Sequence, residues 1–546
     1  MESENKFDYT FDVVVVGSGA AGMSTALGAR DEGLSVLILE STDKWGGNTS
    51  MSGGGMWLPN NPLMRRAKVA DSREEAITYM AATVGDVSRS ASPERRAAFI
   101  DGIEDWVTTA EKHGLVFARA TDYADYYPEL PGGKIGRGIE AAPYDTKRIG
   151  DAWKTCQAGM AMPMKTDDVW LLGRAWSTPD GFVRGAKVVF RVLGGVVRGR
   201  RLAGLGAALA CQLYEAVVMK AKADLWLNSP LESLIVEDGR VTGVVVSQDG
   251  KQIRVKAERG VMLGGGGFDQ NVEMRQQYHG INGSPSGAPG NMGGPIKAAA
   301  EIGAALELMD DAWWGASIAP VPGGMVAFIV GERSFPYTII VDEQGDRFAN
   351  ESESYIDLGH HMLAHNKDGK YWMISDARHA HRYLRTYALD PRANKKMTED
   401  GILVKAYTLP VLAKKLGMDP DRLMATVDRF NGFARAGVDA DFGRGKSAYD
   451  RYYGDPMVHP NPNLGTIEKG PFTAFQVVIG DLGTKGGVLT DVDGRALRED
   501  GSVIEGLYSA GNNSASVMGH TYPGPGSTIG PATVFGMRAA RAMARN

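Results

Sequence analysis

The sequence of 546 residues has little cysteine, no long apolar run and no excess of positive charge. Cys156 and Cys211 are its only cysteines, so we expect no disulfide framework and a reducing, cytoplasmic location. No stretch of about 18 apolar residues could cross a bilayer, and the polar start of the chain predicts no secretory signal. A net charge of -5 gives no basis for binding nucleic acid. Metal, thiol and serine chemistry lack support, because no C-x-x-C pair, His/Asp/Glu cluster or nucleophile elbow is present.

Glycine is abundant instead, with 71 residues, or about 13% of the chain, against about 7% in average proteins. One cluster lies near the start: an apolar run, the turn Gly17-Ser-Gly-Ala-Ala-Gly22, a helical run, a second apolar run and Glu40. This order is typical of the unit that binds the pyrophosphate and ribose of a dinucleotide. Gly17 would permit the turn, Gly19 would let phosphate approach the backbone, and Gly22 would let helix and strand pack closely. A glycine-rich turn in an ordinary α/β protein is the alternative.

Other segments rich in glycine and hydroxyl groups are predicted to contact the same cofactor. Residues 45–60 are too rich in both for a regular helix or strand, and a flat ring could lie against their backbone. Two later strands end in glycine, and the last helix begins at a loop whose N–H groups can face a ligand. The candidate cofactor-binding residues are Gly17, Ser18, Gly19, Ala20, Ala21, Gly22, Glu40, Ser41, Gly46, Gly47, Asn48, Thr49, Ser52, Gly53, Gly54, Gly55, Gly264, Gly265, Gly511, Asn512, Ser527 and Ile529.

The order of these segments predicts two domains. Both ends of the chain carry cofactor-binding segments, and a block with its own strands and helices lies between them. We expect a cofactor-binding domain from residues 1–314 and 484–546, with a catalytic domain from residues 315–483. Helices are expected over residues 72–113 and 410–434, and an irregular aromatic stretch up to residue 460.

Residues 182–213 combine apolar side chains with arginines and glycines. On a helix, Arg184, Lys187, Arg191 and Arg198 would share one narrow stripe. The interpretation that we place first is a buried pair of helices whose arginines reach solvent. The second is peripheral contact with a membrane, which would associate the protein with the inner face of the cell membrane.

Phenols are concentrated in the loop that holds Tyr123, Tyr126 and Tyr127. Tyrosines in such a loop are as compatible with surface packing as with a binding site. Single tyrosines such as Tyr355 and Tyr522 are most often packed residues with satisfied hydroxyl groups. The residues alone leave these alternatives open.

Four motifs in matching order give a more specific comparison. They are Ser52-Gly-Gly-Gly-Met-Trp-Leu-Pro-Asn-Asn61, Tyr126-Tyr-Pro-Glu129, Arg347-Phe-Ala-Asn-Glu351 before Tyr355, and Thr521-Tyr522-Pro-Gly-Pro-Gly526-Ser-Thr-Ile-Gly-Pro531. Over most of its length the chain resembles the 3-ketosteroid Δ1-dehydrogenases, FAD-containing enzymes of the fumarate reductase and succinate dehydrogenase superfamily. The resemblance implies an α/β fold, in which both chain ends build a Rossmann-like FAD-binding domain that carries an inserted α+β catalytic domain. The FAD would not be covalently attached, because Asn48-Thr-Ser has no histidine where related enzymes attach it.

The resemblance also implies a reaction, the 1,2-desaturation of a 3-ketosteroid in steroid metabolism and sterol degradation. Hydride from C1 would go to flavin N5, and Tyr355, as a phenolate hydrogen-bonded by Tyr126, would remove the C2 proton. The Tyr522 hydroxyl and the Gly526 N–H would hold the C3 carbonyl and stabilise the enolate. An external electron acceptor would reoxidise the flavin. The electron acceptor and the steroid side chain are not given by the sequence.

Tyr123 and Tyr127, in the same loop as Tyr126, also bear on this scheme. Tyr123 would line the steroid pocket, and Tyr127 competes with Tyr126 as the partner of the base. The alternatives to the whole scheme are a 3-ketosteroid Δ4 (5α) dehydrogenase and a fumarate reductase-type flavoprotein. A non-catalytic dinucleotide-binding protein is the alternative from a different class.

Overall fold

The computed structural model describes residues 6–158, 162–324, 326–385 and 391–546. Its first sheet has eight strands, and its central parallel strands are apolar and buried on both faces. Six strands lie in the order Arg495–Leu497, Val503–Ser509, Lys251–Leu263, Tyr9–Val16, Val36–Leu39 and Asp224–Trp226. Leu231–Glu237 and Arg240–Gln248 add an antiparallel extension to Lys251–Leu263. Strands from both ends of the chain therefore build this sheet, and the predicted α/β class is confirmed.

A second sheet of seven strands is centred on the long strand Phe472–Thr484. Its other strands are Ser284–Pro285, Ala312–Ile318, Ala327–Phe328, Thr338–Val341, Tyr371–Ser375 and Leu403–Ala406. The domain boundary expected between residues 314 and 315 falls inside the strand Ala312–Ile318. That strand pairs antiparallel with Phe472–Thr484, so it belongs to the second sheet. The second sheet thus begins earlier in the chain than the predicted boundary.

α-Helices and three small sheets make up much of the rest of the described chain. The α-helices are Ala20–Asp31, Gly47–Met51, Pro62–Arg66, Arg73–Thr83, Pro93–Lys112, Thr166–Leu172, Pro179–Val197, Leu205–Tyr214, Val272–His279, Gly294–Glu301, Tyr355–Asn366, Ala377–Arg382, Pro391–Glu399, Leu409–Leu416, Pro420–Ala436, Ala448–Tyr453 and Ile529–Arg545. One small sheet has three strands, in the order Gly55–Trp57, Gly138–Ala141 and Phe117–Arg119. The second pairs Leu306–Glu307 with Gly487–Val488. The third pairs Tyr144–Asp145 with Leu202–Ala203.

The predicted helical segments are present but divided. A second helix starts at Pro93 with Ser92 as its N-cap, so residues 72–113 hold two helices rather than one. Gly417, in the left-handed conformation, ends the first of two helices in the region predicted as 410–434. The stretch before residue 460, which we expected to be irregular, contains the helix Ala448–Tyr453.

The segment 182–213 lies in two helices of opposite character. Leu205–Tyr214 is buried, whereas Pro179–Val197 turns its apolar face to solvent, and Phe190 is 72% and Val197 87% exposed. The expectation of a buried pair is therefore wrong for the first helix. Only three of its residues are buried, and these are Gly181, Val188 and Gly195. In the described parts of the chain, no helix has the length and apolar character needed to cross a membrane.

The basic stripe on this helix is partly neutralised inside the protein. Arg184 and Arg191 pair with the two oxygens of the buried Asp168, at 3.1 and 2.6 Å. Lys187 and Arg198 remain exposed. The exposed helix is thus fastened to the helix Thr166–Leu172 by two ion pairs.

A buried ionic network holds the segment that leads to Tyr355. The Arg347 guanidinium bridges Glu351 and Asp439, with 2.8 Å contacts to each, and Arg444 contacts the second oxygen of Glu351 at 3.2 Å. All four side chains are at most 4% exposed. Removing one partner would leave a buried charge uncompensated, which is strongly unfavourable. The Arg347-to-Glu351 motif therefore fixes the chain just before Tyr355.

Candidate active site

The glycine turn after the first strand brings backbone against backbone. Gly17 has a φ of +101°, and a Cβ on it would lie 2.4 Å from the Gly264 carbonyl oxygen. A Cβ on Gly22 would lie 1.9 Å from the Gly17 carbonyl oxygen. At Gly19 the nearest atom to such a Cβ is the Thr49 hydroxyl oxygen, at 3.6 Å. Gly17 and Gly22 therefore permit close packing, whereas Gly19 leaves space at a helix N-terminus, where N–H groups can meet an anion.

The acid predicted to bind ribose is hydrogen-bonded to this turn. Glu40 is buried and accepts a 2.6 Å hydrogen bond from the Ser18 hydroxyl. The Ser18 oxygen accepts in turn from the Gly46 N–H at 2.9 Å. The Ala20 N–H donates to the Thr49 hydroxyl at 2.8 Å. Turn, acid and the segment after the acid form one connected unit.

Other candidate cofactor residues lie at the carboxyl ends of the neighbouring parallel strands. Gly264 and Gly265 follow Lys251–Leu263. Gly511 and Asn512 follow Val503–Ser509. Ser41, which follows the strand Val36–Leu39 and Glu40, is also at this edge. Crevices at this edge of a parallel sheet are the usual ligand sites of such folds.

Asn48 has partners that the sequence did not reveal. Its side-chain oxygen accepts from the Ala288 N–H at 2.5 Å and from the Asn291 amide at 3.0 Å. Gly47 and Asn48 lie in the short helix Gly47–Met51. These contacts join the segment after Glu40 to the loop that precedes the helix Gly294–Glu301.

The helices Thr166–Leu172 and Leu205–Tyr214 contact Ser52, Gly53 and Gly54. The Ser52 carbonyl accepts from the Gly206 N–H at 3.0 Å, and the Gly53 carbonyl accepts from the Thr166 hydroxyl at 3.2 Å. A Cβ on Gly54 would lie 2.4 Å from the backbone of Leu205. The structure thus gives these three residues a packing role against these two helices, in addition to the predicted cofactor contact.

The C-terminal loop returns to the same edge. Gly526 has a φ of +94°, and a Cβ on it would lie 2.1 Å from the Gly55 carbonyl oxygen. The Ser527 hydroxyl donates to the Gly524 carbonyl at 2.8 Å, and Ile529 opens the last helix. That helix packs tightly on the first one, since a Cβ on Gly536 would lie 2.6 Å from the Ala21 carbonyl oxygen.

These residues fit an FAD molecule in the chemistry of their groups. The open space at Gly19 and the N–H groups of the first helix suit a pyrophosphate. The buried carboxylate of Glu40 suits ribose hydroxyl groups. The glycine backbone at Gly55, Gly511 and Gly526 lets a flat ring system approach the chain without side chains in the way.

Tyr126, Tyr355 and Tyr522 come from three distant regions and form one buried cluster. The ring centroids are 5.5 Å apart for Tyr126 and Tyr355, 5.1 Å for Tyr126 and Tyr522, and 4.9 Å for Tyr355 and Tyr522. The Tyr126 N–H donates to the Pro523 carbonyl at 2.9 Å, which ties the first loop to the last. The Gly526 backbone lies close enough to the Tyr522 hydroxyl to act on its pKa. The four predicted catalytic residues are therefore neighbours.

The structure separates Tyr126 from Tyr127. Tyr127 donates its hydroxyl to Asp357 at 3.0 Å, whereas the Tyr126 ring meets the Tyr355 ring. Tyr123 lies beside Tyr126, with 3.3 Å between their hydroxyl oxygens, and it is buried. Tyr126 and not Tyr127 has the geometry to interact with Tyr355.

Burial makes ionisation of these phenols costly. It raises the pKa of Tyr126 and of Tyr355 well above the usual value for tyrosine, and the neighbouring phenols add to the effect. Burial raises the pKa of Tyr522 as well, although hydrogen bonds from Tyr355 and the Gly526 N–H oppose that rise. The cluster favours neutral phenols, so an anion there needs nearby donors.

Three more tyrosines line the cluster, and the sequence did not single them out. The ring of Tyr449 is 4.5 Å from that of Tyr126, and Tyr452 stacks on Tyr123 at 4.7 Å. Tyr453 is hydrogen-bonded to the Tyr123 hydroxyl. Their i, i+3, i+4 spacing on the helix Ala448–Tyr453 puts them on one face, and this spacing is the signal that could have revealed them.

Comparisons with known proteins agree with this geometry. The FAD binding domain family matches residues 12–529. The 3-oxosteroid 1-dehydrogenase of Mycolicibacterium smegmatis is 45% identical over 559 residues, which cover 97% of this chain and 96% of the relative. The chain belongs to the 3-oxosteroid 1-dehydrogenase family.

A solved structure from the 3-oxosteroid 1-dehydrogenase family has the same fold. The 3-ketosteroid Δ1-dehydrogenase of Sterolibacterium denitrificans, in complex with 1,4-androstadiene-3,17-dione, matches with a TM-score of 0.90 and 38% identity, over 98% of this chain and 99% of that chain. The protein is thus an oxidoreductase with FAD as its cofactor, as predicted. The fumarate reductase-type and non-catalytic alternatives are set aside.

The 3-oxosteroid 1-dehydrogenase family has related enzymes with smaller ketones in their names. The 4-oxocyclohex-2-ene-1-carboxylate 5-dehydrogenase of Sinomonas cyclohexanicum is 36% identical to this chain, over 98% of the chain and 94% of the relative. The compounds in the names of these relatives, a 3-oxosteroid and a 4-oxocyclohexenecarboxylate, both carry a ketone on a ring.

We predict that Gly19→Ala weakens FAD binding without destabilising the apoprotein. The new methyl group has room in the protein, with 3.6 Å to the Thr49 hydroxyl, but it would enter the space expected for the pyrophosphate. The dissociation constant for FAD should rise about ten-fold or more, which corresponds to about 1.4 kcal/mol. Fluorescence titration of the apoprotein with FAD and thermal unfolding without FAD measure the two effects.

Gly432→Ala is the matched control. Gly432 lies in the helix Pro420–Ala436, and a Cβ on it has no heavy atom within 4 Å among those described. This variant should bind FAD like the wild type. Equal FAD affinity in the Gly19→Ala protein would contradict the proposed path of the pyrophosphate.

Proposed function

We propose that this protein catalyses the FAD-dependent 1,2-desaturation of 3-ketosteroids. The observation that carries the proposal is the convergence of Tyr126, Tyr355 and Tyr522 beside the glycine loop that ends in Gly526, next to the FAD-binding edge of the first sheet. The names of the Mycolicibacterium and Sterolibacterium relatives support a steroid as the substrate.

The carbonyl group of the substrate is held by two donors. The Gly526 backbone lies close enough to the Tyr522 hydroxyl to act on its pKa, and we propose that one carbonyl oxygen accepts from both groups. Negative charge develops on that oxygen as the neighbouring C–H loses its proton, and donors already in place stabilise it. The tight contact of Gly526 with Gly55 keeps the N–H in position.

Tyr355 removes the proton from C2. It is the first residue of the helix Tyr355–Asn366, and the positive end of a helix dipole favours an anion there. Tyr126 packs edge-on against it, with 5.5 Å between the ring centroids, and can donate a hydrogen bond to its phenolate. These two effects oppose the pKa rise that burial causes in Tyr355.

FAD, when bound, supplies the two-electron acceptor that a desaturation requires. The residues that would hold it are the glycine turn from Gly17 to Gly22, Glu40, and the backbone at Gly264 and Gly511, as described above. An external electron acceptor then restores the oxidised protein. The cluster of phenols excludes bulk water from the reacting carbons, since Tyr126, Tyr355 and Tyr522 are at most 5% exposed.

We predict that Tyr522→Phe lowers kcat about 100-fold on 3-ketosteroids, because one of two donors to the enolate oxygen is lost. The variant should stay yellow, since the ring keeps its packing. The assay is a steroid panel with an artificial electron acceptor, and Tyr407→Phe, at an 84% exposed position, is the control.

The same panel separates the alternative substrates. It includes 4-oxocyclohexanecarboxylate and a 5α-steroid ketone without a ring double bond. Products are identified by the position of the new double bond, because a Δ4 dehydrogenase would desaturate at C4 and C5. A wild-type protein that turned over only the monocyclic keto acid, or that formed only the Δ4 product, would refute the proposed function.

We predict an activity that rises with pH. Because Tyr355 acts as a phenolate and burial raises its pKa, the active fraction increases as pH rises toward that pKa. kcat/KM should increase about ten-fold per pH unit across the lower part of the profile. Tyr355→Phe should lower kcat at least about 100-fold.

Tyr126→Phe tests the partner of the base. Loss of its hydroxyl removes a donor to the phenolate, so the rising limb should move to higher pH. Tyr127→Phe is the matched control, because its hydroxyl is bound to Asp357 instead. A profile that is flat in the wild type, or equally displaced in both variants, would contradict this assignment.

We also infer that the helix Pro179–Val197 docks on an anionic membrane surface, such as the inner face of the cell membrane. Its apolar side chains Phe182, Phe190, Leu193 and Val197 are each more than half exposed, and Lys187 and Arg198 of the basic stripe are exposed on the same helix. An apolar face beside basic residues is typical of helices that lie in the headgroup region. A steroid, being apolar, is concentrated in that phase.

The prediction is that Phe190→Asp weakens co-sedimentation with phosphatidylglycerol vesicles about ten-fold, since burial of one aromatic side chain is lost and a like charge is added. Tyr407→Asp, which changes an 84% exposed aromatic residue elsewhere, should bind like the wild type. Binding of the wild type should fall with salt and be weak on phosphatidylcholine. Equal binding of both variants would exclude the helix as the docking element.

A further inference from the structure

A polar cluster lies beside the phenols and takes no part in the reaction proposed above. Its centre is Asp311, whose side chain is 5% exposed. One carboxylate oxygen accepts from His360 Nε2 at 2.9 Å, and the other accepts from His520 Nδ1 at 2.8 Å and contacts Lys485 Nζ at 3.3 Å. Burial alone would raise the pKa of Asp311, but Lys485 and the two histidines hold it well below its usual range. The carboxylate is therefore a stable anion with three side-chain partners.

The partners of this carboxylate come from the elements that carry the proposed catalytic tyrosines. His360 lies on the helix Tyr355–Asn366, which begins with Tyr355. His520 precedes Tyr522 by two residues in the C-terminal loop. One buried side chain thus joins the helix of the proposed base to the loop of the proposed carbonyl donor.

Lys485 strengthens this connection from a third element. It follows the strand Phe472–Thr484, its side chain is fully buried, and its ammonium donates to the Thr521 carbonyl at 3.3 Å. The ammonium also lies over the Trp313 ring at 4.8 Å, and that ring meets Tyr522 edge-on at 5.3 Å. Lys485 is therefore linked to Tyr522 in two ways, through the Thr521 carbonyl and through the Trp313 ring.

We propose that Asp311 and Lys485 are positioning residues for the dehydrogenation, an inference that rests on the proposed function. Neither charge touches a phenol. They fix the spacing of Tyr355 and Tyr522, whose ring centroids are 4.9 Å apart. Removal of a proton beside a carbonyl needs the base and the oxygen donors in place at the same moment, and an error of about 1 Å can cost about 100-fold in rate.

The first test uses the two histidines, which are 34% and 45% exposed and can be truncated without opening the core. His360→Ala and His520→Ala should each lower kcat about ten-fold, with KM within about three-fold of the wild type. His361→Ala is the matched control. It lies on the same helix, but its ring is bound to Glu353, and it should keep the wild-type kcat.

The second test removes the central charge. Asp311→Asn should lower kcat about 100-fold, whereas Asp310→Asn, at the exposed neighbouring position, should have no effect. The flavin absorption spectrum, the FAD content and the unfolding temperature are measured for every variant. If Asp311→Asn does not fold, the histidine variants decide the question.

The outcomes are distinct from those that test the function itself. A wild type without activity on any 3-ketosteroid refutes the proposed function. An active wild type whose His360→Ala and His520→Ala variants keep full kcat, or lose activity only through FAD loss or a raised KM, overturns the positioning role. A fall in kcat at constant KM, with a normal flavin spectrum and an unaffected His361→Ala control, supports it.

Discussion

Contact between backbones, with no side chain between them, is the constraint on which the rest of this structure depends. At Gly17 and at Gly526 a single added Cβ would lie within 2.4 Å of a carbonyl oxygen from another segment. These contacts bring the first strand, the strand Lys251–Leu263 and the C-terminal loop to one edge. Their consequence is chemical as well as structural, because backbone N–H groups are left facing that edge, where an anion or a developing oxyanion can accept from them.

The phenol cluster is governed by two opposing demands. The proposed reaction requires water to be kept away from the enolate, and the same burial raises the pKa of Tyr355 and Tyr126. The surroundings are built to limit the second effect while keeping the first. Tyr355 opens a helix, and the segment before it is held by Arg347, Glu351 and Arg444 in a network at most 4% exposed. An ordered position for the phenol lets a few fixed donors replace the solvation that burial removes.

Much of this arrangement could be predicted from the sequence, because it is encoded in local rules. The turn from Gly17 to Gly22 and the acid Glu40 each have one physical explanation in the sequence. In the structure they follow two neighbouring parallel strands, Tyr9–Val16 and Val36–Leu39. Tyr449 and its two neighbours were not found, because the stretch before residue 460 was expected to be irregular and their i, i+3, i+4 spacing was not read as a helix. The helix Pro179–Val197 was misjudged for a related reason. Amphipathic periodicity gives an apolar face but does not say whether protein covers it.

The helix Thr166–Leu172 connects that uncovered face to the phenols. On the helix Thr166–Leu172, Asp168 holds Arg184 and Arg191 of the exposed helix. The preceding residue, Asp167, accepts from the Tyr452 hydroxyl at 3.1 Å, in the wall of the cluster. Separating the two helices would leave the Asp168 carboxylate buried and unpaired, which is strongly unfavourable. Through Asp167 and Asp168, the helix Thr166–Leu172 therefore contacts both the wall of the cluster and the helix with the exposed apolar face.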